Sequence, residues 1–134
     1  MINLEAEGKP RDECGIVGVY DHPESVRINY LGLYALQHRG QESCGIVSFD
    51  GKQNKKAIGM GKVVDFFSRD VLDDIAAKFS IGHVRYSTTG DSALENAQPI
   101  LVGCSWGQVA TAHNGNIVNA KKLRRKLEQE GYRC

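Results

Sequence analysis

The sequence lacks the features that mark a membrane protein or a nucleic-acid-binding protein. No apolar run approaches the ~18 residues that a membrane-spanning helix needs. The 17 basic residues nearly balance the 16 acidic ones, so a net charge of +1 gives no general attraction to nucleic acid or to a membrane surface. Residues 1–13 are polar and carry several acids, unlike a secretory signal or a transit peptide. We therefore expect a cytoplasmic protein.

Cysteine is scarce and scattered. Cys14, Cys44, Cys104 and Cys134 form no C-x-x-C pair, and no histidine lies near them at zinc-ligand spacing. Their number alone would permit a disulfide framework, but nothing else in the sequence suggests secretion. We expect no structural metal site in this chain.

What is present is typical of a globular domain. With 134 residues, of which 41% are apolar and 25% charged, the chain is long enough for one domain with its own core. The basic run KKLRRK at 121–126 is most simply the solvated face of a helix. The alternative, a nucleic-acid patch, lacks the interleaved aromatic residues that such surfaces use. We expect neither nucleic acid nor membrane as a partner.

Hydrophobic periodicity predicts strands in groups between helices. Asp50-Gly51 and Ser105-Trp106-Gly107 are turn signals, so the strands around each of them are expected to form hairpins. This order favours an α+β fold of antiparallel sheets over a parallel βαβ fold. Residues 63–67 are too short to assign, and 88–98 predict a loop. The predicted strands are 15–20, 44–49, 56–60, 81–87, 99–104 and 108–113, and the predicted helices are 24–39, a helix capped by Ser68, and a helix capped by Asn119 with Leu123 and Leu127 inward.

The cysteine that opens the segment CGIVGVY (14–20) has two interpretations. In one, Cys14 is a small buried apolar residue at the start of a strand. In the other, residues 1–13 are removed and Cys14 becomes the first residue, with its thiol as nucleophile and its own α-amine as base. Cys44 opens a second CGIV and is the rival nucleophile. It lies within a predicted hairpin and is expected to belong to the core, whereas Cys14 follows a leader at a terminus where processing is tolerated, so we favour Cys14.

Polar groups follow the apolar segments at three further places. LQHRGQE (36–42) ends the first helix, GHVRYST (82–88) ends a strand, and HNGN (113–116) ends another. Each has an ordinary alternative: Arg39 and Arg85 suit surface salt bridges, and Asn-Gly suits a plain turn. Taken together, a thiol, two arginines and an Asn-Gly corner at strand ends form a specific set of chemical groups.

The motifs CGIVGVY, GLYALQHRGQESCGIVSFDG, GHVRYSTTG, ENAQPI and AHNGNIVNA, in this order, resemble the N-terminal half of the amidophosphoribosyltransferases (glutamine phosphoribosylpyrophosphate amidotransferases). The resemblance runs from Cys14 to Glu130. It implies a class II glutamine amidotransferase domain with the Ntn-hydrolase fold, an αββα sandwich of antiparallel sheets. It also implies that glutamine is hydrolysed to glutamate and ammonia, and that a second domain uses the ammonia to convert phosphoribosyl pyrophosphate to phosphoribosylamine in purine synthesis.

The resemblance also implies roles for individual residues. Cys14 would be the nucleophile and its α-amine the base, once a propeptide of residues 1–13 is removed. Asn114 and Gly115 would form the oxyanion hole. Arg85, helped by Thr88, would bind the α-carboxylate of glutamine, and Arg39 would hold the region around the cysteine. Tyr86 would lie towards the route of ammonia.

The resemblance covers only part of such an enzyme. The aspartate that would pair with the α-amino group of glutamine, further strands and the phosphoribosyltransferase domain would all follow residue 134. We therefore expect residues 14–134 to be the N-terminal part of the amidotransferase domain, incomplete at its C-terminus. As an isolated piece it should be poorly soluble and inactive, because strand edges and core faces stay uncovered. Magnesium, a 4Fe-4S cluster and a homotetramer are expectations for the full-length enzyme only.

Two alternatives stay open at this stage. One is a related class II amidotransferase, of the glutamine:fructose-6-phosphate transaminase or glutamate synthase type, which shares CGIVG and HNG. The other is a binding module that keeps the fold without catalysis.

Overall fold

A four-stranded antiparallel sheet forms the centre of the structure. In this computed structural model the chain is described for residues 14–39, 42–86, 93–115 and 117–132. The strands are β1 (Gly15–Val19), β2 (Ser43–Phe49), β3 (Asn54–Met60) and β4 (Phe79–Arg85), and they lie in the order β1-β4-β2-β3. Because β4 runs antiparallel to both β1 and β2, its last residues lie beside the first residues of both strands.

Helices cover one face of this sheet. The predicted helix 24–39 is shorter than expected: α1 is Ser25–Ala35, and a 3₁₀ turn at Gln37–Arg39 follows it. The unassigned segment contains a short helix, α2 (Val63–Phe66), and α3 is Arg69–Asp74. Ser68 caps α3 as predicted, since its hydroxyl accepts the Val71 N–H at 3.3 Å. The core between helices and sheet contains Val26, Leu33, Cys44, Ile46, Val63, Phe67, Ile75 and Val84.

A buried polar cluster ties α1 to the sheet. Asn29 is fully buried, and its amide donates to the Val17 carbonyl at 3.2 Å and to the Ser80 hydroxyl at 3.1 Å. Ser25 donates to the Ala77 carbonyl at 2.9 Å. The periodicity of apolar residues gave no sign of this cluster, because it consists of polar residues inside the core.

Two further strands form a separate antiparallel sheet. β5 (Ile100–Cys104) and β6 (Gly107–Thr111) form the predicted hairpin, and α4 (Ala120–Gln129) follows them. Residues of β5 and α4 line an open cleft of about 820 Å³. The helices, the two sheets and α4 give the α+β fold of antiparallel sheets that the sequence predicted.

The last helix differs from the prediction in two respects. Asn119 precedes α4, but its side chain makes no capping hydrogen bond. Leu123 and Leu127 face the cleft and remain 42% and 40% exposed, so the described residues do not bury them.

Among the helices of the described ranges, none has the length and apolar character needed to cross a bilayer.

Candidate active site

Cys14 lies at the end of the sheet where β1 begins and β4 ends. Gly15 is paired with Val84, so the cysteine is brought next to Arg85 and Tyr86. Its thiol is half-buried and donates to the Tyr86 carbonyl at 3.6 Å. The thiol is therefore outside the apolar core, in contrast to the first interpretation of Cys14.

The Asn-Gly corner lies next to the same cysteine. The Asn114 side-chain amide donates to the Cys14 carbonyl oxygen at 3.4 Å, across a separation of 100 residues. Gly115 has a φ of +152°, a backbone conformation that favours glycine, and no atom lies within 4 Å of the position a Cβ would take. The corner is anchored by His113, whose backbone N–H donates to the Gln98 side-chain oxygen at 2.8 Å. Two of the predicted motifs thus meet at one point.

Arg85, at the end of β4, has an internal partner. Its guanidinium Nη1 lies 3.8 Å from a carboxylate oxygen of Glu42, and the two side chains are only 12% and 15% exposed. Nη1 itself is buried and makes no hydrogen bond to a described residue. Arg85 is thus held at the end of the sheet where Cys14 lies, with Nη1 next to the Glu42 carboxylate.

Two predicted site residues are not placed. The backbone of Arg39 ends the 3₁₀ turn after α1, and that turn contacts β4, but the Arg39 side chain lies outside the described part of the structure. Thr88 lies outside the described residues, as do the leader 1–13 and Cys134.

His83 is a buried histidine to which the motifs assign no role. His83 lies on β4 between Ile16 of β1 and Gly45 of β2, and it is fully buried. Burial lowers the pKa of His83 to about 4. The charges of His113 and Arg85 also lower this pKa, and the backbone of His113 partly opposes the change. Neither ring nitrogen makes a hydrogen bond to a described residue. In the sequence, His83 is marked only by its position in the motif GHVRYST, two residues before Arg85.

Cys44, the rival nucleophile, is poorly suited to nucleophilic chemistry. Cys44 is 1% exposed, and burial raises the pKa of its thiol to about 12, with a smaller contribution from Asp65. The prediction that Cys44 belongs to the core is confirmed. Cys104 is exposed at the end of β5, next to the β5–β6 turn. Within the described ranges no three His, Cys, Asp or Glu side chains are grouped to hold a metal ion.

Comparison with known proteins gives close relatives. No family model matches the chain. Amidophosphoribosyltransferase 1 (chloroplastic) of Arabidopsis thaliana is 50% identical over 130 residues, which are 96% of this chain and 23% of that protein. Amidophosphoribosyltransferase of Methanothermobacter thermautotrophicus is 47% identical over 129 residues, 94% of this chain and 27% of that protein. The chain thus spans about a quarter of the length of these relatives.

A solved structure is similar in both sequence and fold. Glutamine phosphoribosylpyrophosphate amidotransferase from B. subtilis, in complex with ADP and GMP, matches with a TM-score of 0.77 and 42% identity. The match covers 89% of this chain and 26% of that one. The similarity confirms the predicted Ntn-hydrolase sandwich and the resemblance inferred from the motifs.

Proposed function

We propose that this chain, which is homologous to the amino-terminal part of amidophosphoribosyltransferases, is the glutaminase part of such an enzyme. It hydrolyses glutamine to glutamate and ammonia. The full-length enzyme transfers the ammonia to phosphoribosyl pyrophosphate and forms 5-phosphoribosylamine for purine biosynthesis.

The proposal depends above all on the contact between Cys14 and Asn114. The Asn114 amide bonds the backbone carbonyl of Cys14, whose side chain is half-buried at a strand end, and no atom lies within 4 Å of the Cβ position of Gly115. Acyl transfer requires this combination, because a nucleophile and oxyanion donors must both reach one carbonyl group. The rival thiol of Cys44 is buried in the core and remains protonated at neutral pH.

In the mechanism we propose, the Cys14 sulfur attacks the side-chain amide carbon of glutamine. The thiol turns away from the Tyr86 carbonyl and passes its proton to the α-amine of Cys14. This amine is free only after the Glu13–Cys14 peptide bond is cleaved, because an amide nitrogen does not accept a proton. The tetrahedral oxyanion is stabilised by the Asn114 side-chain N–H and the Gly115 backbone N–H.

Collapse of that intermediate releases ammonia, and the α-amine returns the proton to the leaving nitrogen. A γ-glutamyl thioester on Cys14 remains. Water then attacks the thioester, with the α-amine again acting as base, and the products are glutamate and the free thiol.

Arg85 binds the α-carboxylate of glutamine in this proposal. Arg85 ends β4 beside the start of β1, where Cys14 lies, and its side chain is only 12% exposed. A guanidinium suits the task because it can donate two parallel hydrogen bonds to one carboxylate. Thr88 assists it, Arg39 orients the cysteine segment, and Tyr86 faces the exit of ammonia.

The domain organisation is part of the proposal. Residues 1–13 are a propeptide, and 14–134 are the first part of an amidotransferase domain whose phosphoribosyltransferase partner domain follows. That domain would bind phosphoribosyl pyrophosphate with Mg²⁺, and the full-length enzyme would be a homotetramer with a 4Fe-4S cluster. No group of residues within the described ranges fits a metal ion, and no step assigned to this chain uses one.

The test is ammonia release from glutamine by the full-length enzyme. Cys14→Ala should lower the rate by more than about 10³-fold, because the attacking atom is removed. Cys104→Ser, which changes an exposed thiol, is the control and should leave the rate unchanged. Continued ammonia release by Cys14→Ala would refute the proposal.

A further inference from the structure

Glu42 is a residue of the LQHRGQE motif that the proposed mechanism does not use. It directly precedes β2, and its backbone bonds the end of β4 and the residue after β3: its N–H donates to the Arg85 carbonyl at 3.1 Å, and its carbonyl accepts the Gly61 N–H at 2.8 Å. Its carboxylate lies 3.8 Å from Arg85 Nη1. Glu42 is thus joined to Arg85 through both backbone and side chain.

The ion pair between Glu42 and Arg85 is largely shielded from water. Exposed ion pairs hold their side chains weakly, because water screens the charges and the side chains keep other rotamers. Glu42 and Arg85 are 15% and 12% exposed, so water screens them much less. A flexible arginine side chain is thereby restricted at the end of the sheet where Cys14 lies.

We propose that Glu42 is a positioning residue that orients the Arg85 guanidinium for the α-carboxylate of glutamine. This inference rests on the proposed glutaminase function. In this proposal the Glu42 carboxylate faces Nη1, and the other N–H groups of the guanidinium bind the substrate. Glu42 itself does not contact the reacting amide.

Loss of the Glu42 charge has two opposing effects on substrate binding. It makes the site more positive, which favours an anionic group, and it frees the Arg85 side chain to adopt other rotamers. The second effect outweighs the first, because a carboxylate clamp depends on the fixed geometry of two parallel hydrogen bonds. Weaker glutamine binding is therefore expected.

The test compares glutamine hydrolysis with a reaction of Cys14 that needs no carboxylate. In the full-length enzyme, Glu42→Gln should raise KM for glutamine about tenfold and change kcat less than about twofold. Alkylation of Cys14 by iodoacetamide should keep its wild-type rate. Glu42→Asp, which retains the charge, should give a KM between those of the wild type and the Gln variant.

Glu128→Gln is the matched control, because it makes the same change in an exposed ion pair, Arg124–Glu128 at 3.1 Å. It should leave KM unchanged. An unchanged KM in Glu42→Gln, or an equal loss of alkylation and hydrolysis, would overturn the positioning role. Failure of the wild-type enzyme to release ammonia from glutamine would instead refute the glutaminase function, and the role of Glu42 with it.

Discussion

The tetrapeptide CGIV occurs twice in this chain, at 14–17 and at 44–47, and the two copies have opposite environments. Their strands, β1 and β2, flank β4 on its two sides. Val84 of β4 is paired with Gly15 in the first copy but with Cys44 in the second. The copies are therefore offset by one residue relative to β4, and such an offset turns every side chain to the other face of the sheet.

The offset separates a candidate nucleophile from a core residue. In the second copy Cys44 and Ile46 point to the helices and are buried, whereas in the first copy Gly15 and Val17 take that side. Cys14 remains at the strand end, next to Asn114. Strand register rather than local sequence decides which thiol can act.

After the loss of Cys14 itself, the largest effect on hydrolysis is expected at Asn114, which contacts Cys14 of the first copy. Asn114→Ala removes the side-chain donor beside Cys14 and should lower kcat for glutamine hydrolysis about 10²–10³-fold. Asn54→Ala removes an exposed amide that donates to Gln108 at 3.1 Å, and it is the control. Steady-state ammonia release checks both variants. Equal rates in the two variants would show that Asn114 does not stabilise the oxyanion.

The glycine of the second copy and the glycine that directly follows the first copy should differ in their tolerance of a methyl group. At Gly45 a Cβ would clash with the Gln98 carbonyl and lie 2.9 Å from Ile58, whereas at Gly18, in the strand of the first copy, it would meet nothing within 4 Å. Gly45→Ala should therefore lower the free energy of unfolding by about 1–3 kcal/mol. Gly18→Ala should leave it unchanged or raise it by up to about 1 kcal/mol. Urea denaturation of the full-length enzyme measures both, and a Gly45→Ala enzyme as stable as Gly18→Ala would contradict the packing described.

His83, between the two copies, should make stability depend on pH. Burial lowers its pKa from 6.5 to about 4, so the unfolded chain takes up the proton first as pH falls. The stability due to the neutral imidazole is complete above pH 6.5 and is lost as pH falls towards 4. Between pH 7 and pH 5 we expect a loss of about 2 kcal/mol that His83→Gln abolishes. His38→Gln, at an exposed histidine, should retain it. The same pH profile in the wild type and in His83→Gln would refute the prediction.

The smallest effect is expected at the second cysteine. Cys44→Ala removes one buried sulfur from the core and should cost about 1 kcal/mol of stability. Glutamine hydrolysis should stay within about twofold of the wild-type rate, since truncation at a site without a catalytic role acts through stability alone. Loss of hydrolysis in a folded Cys44→Ala enzyme would make Cys44 a second candidate nucleophile.

Features with local causes could be predicted from the sequence. The hairpin around Asp50-Gly51 follows from turn chemistry, because the Asp50 side chain accepts the N–H groups of Lys52 and Gln53 at 2.8 and 2.9 Å. The cap at Ser68 has an equally local origin. The choice of Cys14 over Cys44 as nucleophile could be made from the sequence only because Cys14 follows a leader and Cys44 lies within a predicted hairpin.

Features that depend on distant partners could not be predicted in the same way. The buried state of Asn29 and His83 depends on strands that pack together only after folding. The contact between Glu42 and Arg85 depends on the register of β2 and β4. The early end of α1 was also missed: the Leu36 N–H bonds the carbonyls of both Gly32 and Leu33, so the last turn tightens before Arg39.

The central claim is that the thiol of residue 14, at a free terminus, attacks glutamine. The most direct test is mass spectrometry of the full-length enzyme after reaction with 6-diazo-5-oxonorleucine, a glutamine-like electrophile. We predict one adduct, on a peptide whose first residue is Cys14. An adduct on Cys44, or on a peptide that still contains the Glu13–Cys14 bond, would contradict the account.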